Sequence, residues 1–209
     1  MSNGNKKLNQ FFSNNIFIGS FNGAQNIPNE DLPECCFIGR SNVGKSSILN
    51  AITKTKNLAK TSKTPGRTQL INLFEISKLI NIVDLPGYGY AKVPLIIKEK
   101  LSYLIESYLI SRSNLTKIFL LIDCKVGIKN SDLDMIDYIK ISEKEFSIIL
   151  TKSDKCSINI KNQQIKNINS LLKVFDKNSL NIHLTSSKNH EGITDIQKEI
   201  FNLKKTNEI

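Results

Sequence analysis

The sequence contains no tryptophan, only two histidines and only four cysteines. None of the cysteines forms a C-x-x-C pair, so neither a zinc site nor a disulfide framework is indicated. The longest apolar run, at 118–122, is far shorter than the roughly 18 residues that a membrane span needs. The first residues also lack the apolar segment of a signal peptide. We therefore expect a cytoplasmic protein with free thiols and no membrane span.

Acidic residues are also scarce relative to basic ones. The chain has 29 Lys and Arg against 19 Asp and Glu, which gives a net charge of +10. Such a balance favours a polyanionic partner, and nucleic acid is the first candidate. A second interpretation stays open, because Lys, Asn and Ile are abundant along the whole chain and the charge could reflect composition alone.

One octapeptide, GRSNVGKS, fits the G-x-x-x-x-G-K-[ST] pattern of a phosphate-binding loop. An apolar run at 35–38 predicts a buried strand before it, and apolar residues at helical spacing follow from Ile48. In that context the loop backbone can surround a phosphate, Lys45 can reach the β- and γ-phosphates, and Ser46 can hold Mg²⁺. The candidate phosphate-binding residues are Gly39, Arg40, Ser41, Asn42, Val43, Gly44, Lys45 and Ser46.

A second candidate segment follows the apolar run at 79–83. An aspartate at the carboxyl end of a core strand is where nucleotide-binding sheets place a carboxylate that organises Mg²⁺. The glycine three residues later could bring its backbone N–H to a γ-phosphate. This segment comprises Asp84, Leu85, Pro86 and Gly87.

Two later loops indicate which base is bound. The carboxylate of Asp154 can accept hydrogen bonds from N1–H and the 2-amino group of guanine, whereas adenine offers neither donor on that edge. Backbone N–H groups of a following Thr-Ser-Ser loop could contact the base oxygen O6. The candidate guanine-binding residues are Thr151, Lys152, Ser153 and Asp154, with Thr185, Ser186 and Ser187.

The order of the elements predicts one α/β domain over residues 34–209. Alternating apolar strands and amphipathic helices favour a six-stranded, mostly parallel sheet with one antiparallel strand and helices on both faces. Residues 1–33 are predicted to form an N-terminal extension, with one edge strand, that packs on this domain. Every candidate segment then lies at the carboxyl ends of the strands.

These segments together resemble the translation-factor-related small GTPases, and most closely the EngB (YihA/YsxC) family of ribosome-assembly GTPases. The resemblance covers about residues 34–193 and implies a single Ras-like P-loop GTPase domain. It rests on GRSNVGKS at 39–46, TSKTPGRTQL at 61–70, DLPGYGYAKV at 84–93, TKSD at 151–154 and TSS at 185–187.

The resemblance implies a Mg²⁺-dependent GTP-binding protein that acts as a nucleotide-controlled switch in assembly of the large ribosomal subunit, on which normal septation and cell division depend. GTP and GDP, and a large-subunit precursor or rRNA, are the implied partners, and we expect a monomer. Ser46 and Thr68 would ligate Mg²⁺. The first-switch residues that would touch the nucleotide are Gly66, Arg67, Thr68, Gln69 and Leu70.

Three positions bear on nucleotide affinity or on the hydrolysis rate, and Thr151 implies a modest affinity. Thr151 stands where most GTPases carry Asn, which removes an amide that ties the base loop to the phosphate loop. Tyr88 follows the DLPG segment, so the Gln that positions water in many GTPases is absent, no catalytic residue is identified and slow hydrolysis is expected. Asn42 either holds a K⁺ ion beside the phosphates, as in related GTPases, or only hydrogen-bonds its own loop.

Two alternatives remain open. The protein could be a GTP-dependent RNA- or ribosome-binding module with negligible hydrolysis. The loop lysines and arginine near the switches could contact RNA, or could simply be solvated; these residues are Lys60, Lys63, Arg67 and Lys92.

Overall fold

The computed structural model describes residues 3–28, 31–55, 70–89, 93–172 and 180–204. Several predicted contact residues of the switches therefore lie outside the described residues, namely Lys60, Lys63, Gly66, Arg67, Thr68, Gln69 and Lys92.

Helices and strands alternate along most of the chain. The helices are α1 (Asn3–Ser13), α2 (Lys45–Thr53), α3 (Leu95–Ser111), α4 (Asn130–Ser142), α5 (Ile158–Leu171) and α6 (Ile193–Leu203). The strands are β1 (Asn15–Phe21), β2 (Glu34–Gly39), β3 (Ile71–Ile76), β4 (Ile80–Asp84), β5 (Leu115–Asp123), β6 (Glu145–Thr151) and β7 (Asn181–Leu184). Within the described ranges, none of the helices combines the length and apolar character that a membrane crossing requires.

The described strands form one seven-stranded sheet in the order β1-β3-β4-β2-β5-β6-β7. β3 pairs antiparallel with both β1 and β4, and the other pairings are parallel. The prediction of a mostly parallel sheet with one antiparallel strand is confirmed. The predicted count of six is wrong by one, because the edge strand of the N-terminal segment joins the same sheet through β3.

Helix α1 was not predicted. Its surface is rich in Asn, Lys and Gln and carries Gly4, so its intrinsic helix propensity is modest. Its few apolar residues, Leu8, Phe11 and Phe12, recur at helical spacing and are buried against α2 and α6. Tertiary packing of this short apolar face stabilises the helix where composition alone does not.

Helices cover both faces of the sheet, as predicted. One core, on the face of α3, α4 and α5, includes Cys36, and the other, on the face of α1, α2 and α6, includes Cys35. The two cysteines therefore point to opposite sides of β2, as the alternation of a strand requires. On α4, Leu133 is 37% exposed, whereas Met135 is buried.

A buried ionic cluster fastens α6 to the amino ends of β5, β6 and β7. His183 Nε2 lies 2.6 Å from a carboxylate oxygen of Glu199, and the Ser147 hydroxyl donates to the other oxygen at 2.6 Å. The Lys117 ammonium lies 3.0 Å from Glu199. Burial alone would raise the pKa of Glu199, but these hydrogen bonds and the Lys117 charge lower it to about 2.

This depressed pKa predicts an acid-sensitive contribution to stability. A carboxyl whose pKa falls from 4.5 to about 2 on folding stabilises the folded state above pH 4.5 and loses that effect as the pH drops towards 2. The contribution at neutral pH is at most about 3 kcal/mol. Urea unfolding of Glu199→Gln should show lower stability than wild type at pH 7, with the difference shrinking towards pH 2.

The matched control is Glu145→Gln, since Glu145 also faces Lys117 but its side chain is 69% exposed. We expect that change to alter the free energy of unfolding by about 0.5 kcal/mol or less. Parallel pH profiles for wild type and Glu199→Gln would contradict the assignment.

Candidate nucleotide-binding site

The phosphate loop connects the end of β2 to the start of α2. Gly44 precedes the helix at a φ of +103°, a conformation that favours glycine. A side chain at Gly39 would come within 2.9 Å of Leu121 on β5, so the tight approach of the loop to the sheet also needs glycine. The first N–H groups of α2 have no partner within the helix, and they can bind an anion held by the loop.

Lys45 and Asp84 form an ion pair in this site. The Lys45 ammonium donates to one oxygen of the Asp84 carboxylate, and the side chains are only 11% and 4% exposed. Asn72 Nδ2 donates to the other Asp84 oxygen at 3.4 Å. The half-buried Ser46 lies next to Lys45 in the first turn of α2. Together, a carboxylate and a hydroxyl offer the hard oxygen ligands that Mg²⁺ prefers, so this donor set fits the metal.

The segment after Asp84 runs along the phosphate loop. Ser41 N–H donates to the Tyr88 carbonyl at 2.9 Å, and Tyr88 N–H donates to the Gly39 carbonyl at 3.3 Å. A side chain at Gly87 would approach the Ser41 backbone to 3.3 Å. Backbone contacts on both sides therefore place the predicted Asp84, Leu85, Pro86 and Gly87 beside the loop.

The side chain of Tyr88 points away from the phosphate loop and into the core. It is 8% exposed, and its hydroxyl donates to Asp132 on α4 at 2.7 Å. Burial raises the pKa of Tyr88 well above its ordinary value, so the hydroxyl stays a donor. In this arrangement Tyr88 cannot replace the missing Gln as a water-positioning group. Asp132 was not predicted as a site residue, because it lies outside every recognisable sequence motif.

The base loop is tied directly to the phosphate loop. The Thr151 hydroxyl donates to the Val43 carbonyl at 2.7 Å. The Lys152 ammonium donates to the Asn42 carbonyl at 2.8 Å and to Asp123 at 2.7 Å. Thr151 lacks the amide that most GTPases have at this position, but its hydroxyl supplies a hydrogen bond between the two loops.

Asp123 was not predicted as a site residue, although its position at the end of a strand could have indicated one. It ends β5 at the carboxyl edge of the sheet, as Asp84 ends β4. Burial alone would raise its pKa, but the hydrogen bond and charge of Lys152 lower it below the ordinary value. The ionised Asp123 thus orients Lys152 within the base loop.

Asp154 presents its carboxylate to solvent at the end of the base loop. The Ser186 hydroxyl donates to it at 2.7 Å, and this hydrogen bond lowers the pKa of Asp154. Glu191, also missed, accepts from the Ser153 hydroxyl at 2.7 Å and from Lys161 at 3.0 Å. These bonds hold the loops at 151–154 and 185–187 together and keep the Asp154 carboxylate a hydrogen-bond acceptor.

The remaining predicted residues differ in burial, and the Thr185 hydroxyl donates to the Leu150 carbonyl at 3.2 Å. Thr185 is buried, Ser187 is half-buried and Leu70 is 39% exposed. Asn42 is exposed at a φ of +63°. Among the described residues, no hydrogen bond joins the Asn42 side chain to its own loop, so its amide oxygen is available to a ligand.

A family described as "50S ribosome-binding GTPase" matches residues 34–152 of this chain. The matched range contains the phosphate loop, the Asp84 segment and the first base-loop residues. Together with the parallel sheet and the loops at its carboxyl edge, it defines a P-loop GTPase.

Two relatives of known name identify the family within this class of GTPases. The chain is 44% identical over 178 residues to the probable GTP-binding protein EngB of Rickettsia akari, covering 84% of this chain and 82% of the relative. It is 46% identical over 167 residues to the protein of the same name from Mycoplasmopsis synoviae, covering 80% and 87%. The chain belongs to the EngB family of GTP-binding proteins.

Solved structures agree on the fold. A crystal structure of a probable GTP-binding protein engB superposes with a TM-score of 0.68 at 23% identity, covering 83% of this chain and all of that one. A structure of Era in complex with MgGDPNP and nucleotides 1506–1542 of 16S ribosomal RNA gives 0.65 at 20% identity, covering 84% and 57%.

The Thr151 contact yields a direct prediction. Thr151→Val keeps the side-chain shape but leaves the Val43 carbonyl without its donor, which costs about 1 kcal/mol or slightly more. Calorimetric titration should show GDP binding weakened roughly 5- to 10-fold, while Thr151→Ser binds like wild type. Equal GDP affinity in Thr151→Val and wild type would show that the tie does not support the base loop.

Proposed function

We propose that this GTPase is a Mg²⁺-dependent switch that hydrolyses GTP slowly in the cytoplasm and acts, as a monomer, in assembly of the large ribosomal subunit. The observation that carries the proposal is the joining of three segments at one edge of the sheet: the phosphate loop, the Asp84 segment and the base loop. The matching family's description as 50S ribosome-binding supports the choice of partner. By family resemblance, normal septation would depend on it.

In this proposal, residues 39–46 bind the phosphates and residues 151–154 and 185–187 bind guanine. Ser46 and Thr68 would hold Mg²⁺, which supplies positive charge beside the β- and γ-phosphates. Lys45 would exchange Asp84 for the phosphates, and the released Asp84 carboxylate could then orient water in the site. Residues 66–70 and 84–87 would respond to the γ-phosphate.

We further propose residues 34–209 as the GTPase domain and residues 1–33 as an extension packed on it. The pairing of β1 with β3 and the burial of Phe11 and Phe12 between α1 and the domain support this division.

A second candidate is a GTP-dependent RNA- or ribosome-binding module with negligible hydrolysis. The buried hydrogen bond between Tyr88 and Asp132 favours it, because it removes the side chain next to Gly87 from the reacting phosphate. Against it stands Asn42, whose amide oxygen has no hydrogen bond among the described residues and could ligate a K⁺ ion. Such an ion would offset charge that develops on the phosphates.

Sedimentation with large-subunit particles tests the proposed switch. We expect the protein to bind these particles roughly fivefold or more tightly with a GTP analogue than with GDP, because only the γ-phosphate orders both switches. Lys45→Ala is the control, since loss of the phosphate contact should make binding insensitive to nucleotide. Equal binding of the wild type under both nucleotides would contradict the switch.

Single-turnover hydrolysis separates the two candidates. Intrinsic turnover on the order of 10⁻³ s⁻¹ or below is expected in NaCl, with faster turnover in KCl for wild type but not for Asn42→Ala. Equal rates in both salts would rule out the K⁺ site. Absence of hydrolysis even with large-subunit particles would favour the binding module.

A further inference from the structure

A groove of about 570 Å³ lies at the corner formed by α1, the β3–β4 turn and the end of α6. We call it the α1–α6 groove. Its lining combines ammonium, amide and aromatic groups, and the residues that matter here are Lys7, Gln10, Asn14, Phe201 and Lys204.

Positive charge in the groove has no acidic partner among the described residues. Lys204 Nζ lies 3.9 Å and Lys7 Nζ 5.8 Å from the centre of the Phe201 ring. Among the described residues, no Asp or Glu lines the groove or pairs with these two ammonium groups. The segment 3–28 that contains α1 carries no acidic residue, and the exposed Lys78 adds charge at the neighbouring turn.

The groove lies at the opposite end of the sheet from the nucleotide site. β4 begins at Ile80, directly after the turn that lines the groove, and ends at Asp84 in the site. α6 begins beside the guanine loop and ends at Leu203, next to the groove. A ligand in the groove therefore touches neither the phosphate loop nor the Asp84 segment.

The chemistry of the groove fits RNA better than a membrane or a protein. The apolar side chains of α1 are buried in the core, so this helix has no free apolar face that could enter a lipid surface. A protein partner would need a larger apolar centre than the exposed Leu79 provides. Phosphates can pair with the lysines, and the amides of Gln10 and Asn14 can bond phosphate or ribose oxygens.

We propose that the α1–α6 groove binds the phosphate backbone of RNA and gives the protein a nucleotide-independent contact with its ribosomal partner. This inference rests on the proposed function only for the identity of the particle that carries the RNA. The switches decide when the protein binds more tightly, and the groove supplies binding in either nucleotide state.

The test uses the full chain and a fluorescein-labelled uridine oligonucleotide of about 20 residues, titrated by anisotropy at several KCl concentrations. Lys7→Gln/Lys204→Gln removes two charges and keeps the side-chain stems. We expect roughly tenfold weaker binding at low salt, and a slope of log K against log salt that is smaller by about 1.4. The control, Lys100→Gln/Lys166→Gln, removes two exposed lysines of α3 and α5 and should stay within about twofold of wild type.

Equal RNA affinities for the two double variants would overturn the proposal. So would a groove variant that loses binding of poly-glutamate but not of RNA, since the occupant would then be an acidic protein. GTP binding should be unchanged in both variants, because neither touches the nucleotide site.

Large-subunit particles separate this inference from the switch. The groove variant should lose affinity equally with GDP and with a GTP analogue, so that the ratio between the two nucleotides is kept. If the wild type binds the particles equally with GDP and with the GTP analogue, the switch is refuted. The groove proposal is still supported in that case if the groove variant binds the particles more weakly than wild type. If the groove variant binds the particles as tightly as wild type, the groove proposal is refuted and the switch is unaffected.

Discussion

The backbone of the phosphate loop is the element on which the rest of the site depends. Its groups bond to both neighbouring segments: Ser41 N–H donates to the Tyr88 carbonyl, and the Val43 carbonyl accepts from Thr151. The loop can do this because β2 lies at the centre of the sheet, between β4 and β5. The segments that contact phosphate and base are therefore placed by the same strand register that builds the core.

This dependence explains why the sequence predicted so much of the site. Glycine-rich turns and acidic residues at strand ends have local causes, and parallel strands bring their carboxyl ends to one edge. Asp84 and the TKSD segment could thus be assigned to one site without coordinates. The structure agrees on Lys45 and Asp84, which form a buried ion pair.

Features that depend on tertiary packing could not be predicted. The direction of the Tyr88 side chain follows from the buried carboxylate of Asp132, 44 residues away. Helix α1 depends on burial of Phe12 rather than on helix propensity, and β1 counts in the sheet only because β3 offers it an edge. The partner of the Thr151 hydroxyl, the Val43 carbonyl, likewise follows from the folded positions of the two loops. Contacts of this kind form between residues that are distant in the sequence, so no sequence motif indicates them.

The two ends of the sheet carry different chemistry. The carboxyl edge gathers backbone N–H groups, Lys45 and two carboxylates that suit a nucleotide with its metal. Near the opposite edge, the Glu199 cluster neutralises its charges internally, whereas the lysines of the α1–α6 groove have no acidic partner in the described part of the chain. Under the proposals above, such a division would let one small domain respond to a nucleotide at one end and contact a polyanion at the other.

In the proposed function, Asp154 recognises guanine from a loop that is fixed to the phosphate loop. The most direct test of this recognition is the affinity of wild type and Asp154→Asn for GDP and XDP. An amide can donate to the xanthine O2 where a carboxylate can only accept, so the variant should prefer XDP and lose GDP affinity roughly a hundredfold or more. Unchanged GDP affinity in Asp154→Asn would show that Asp154 does not recognise guanine.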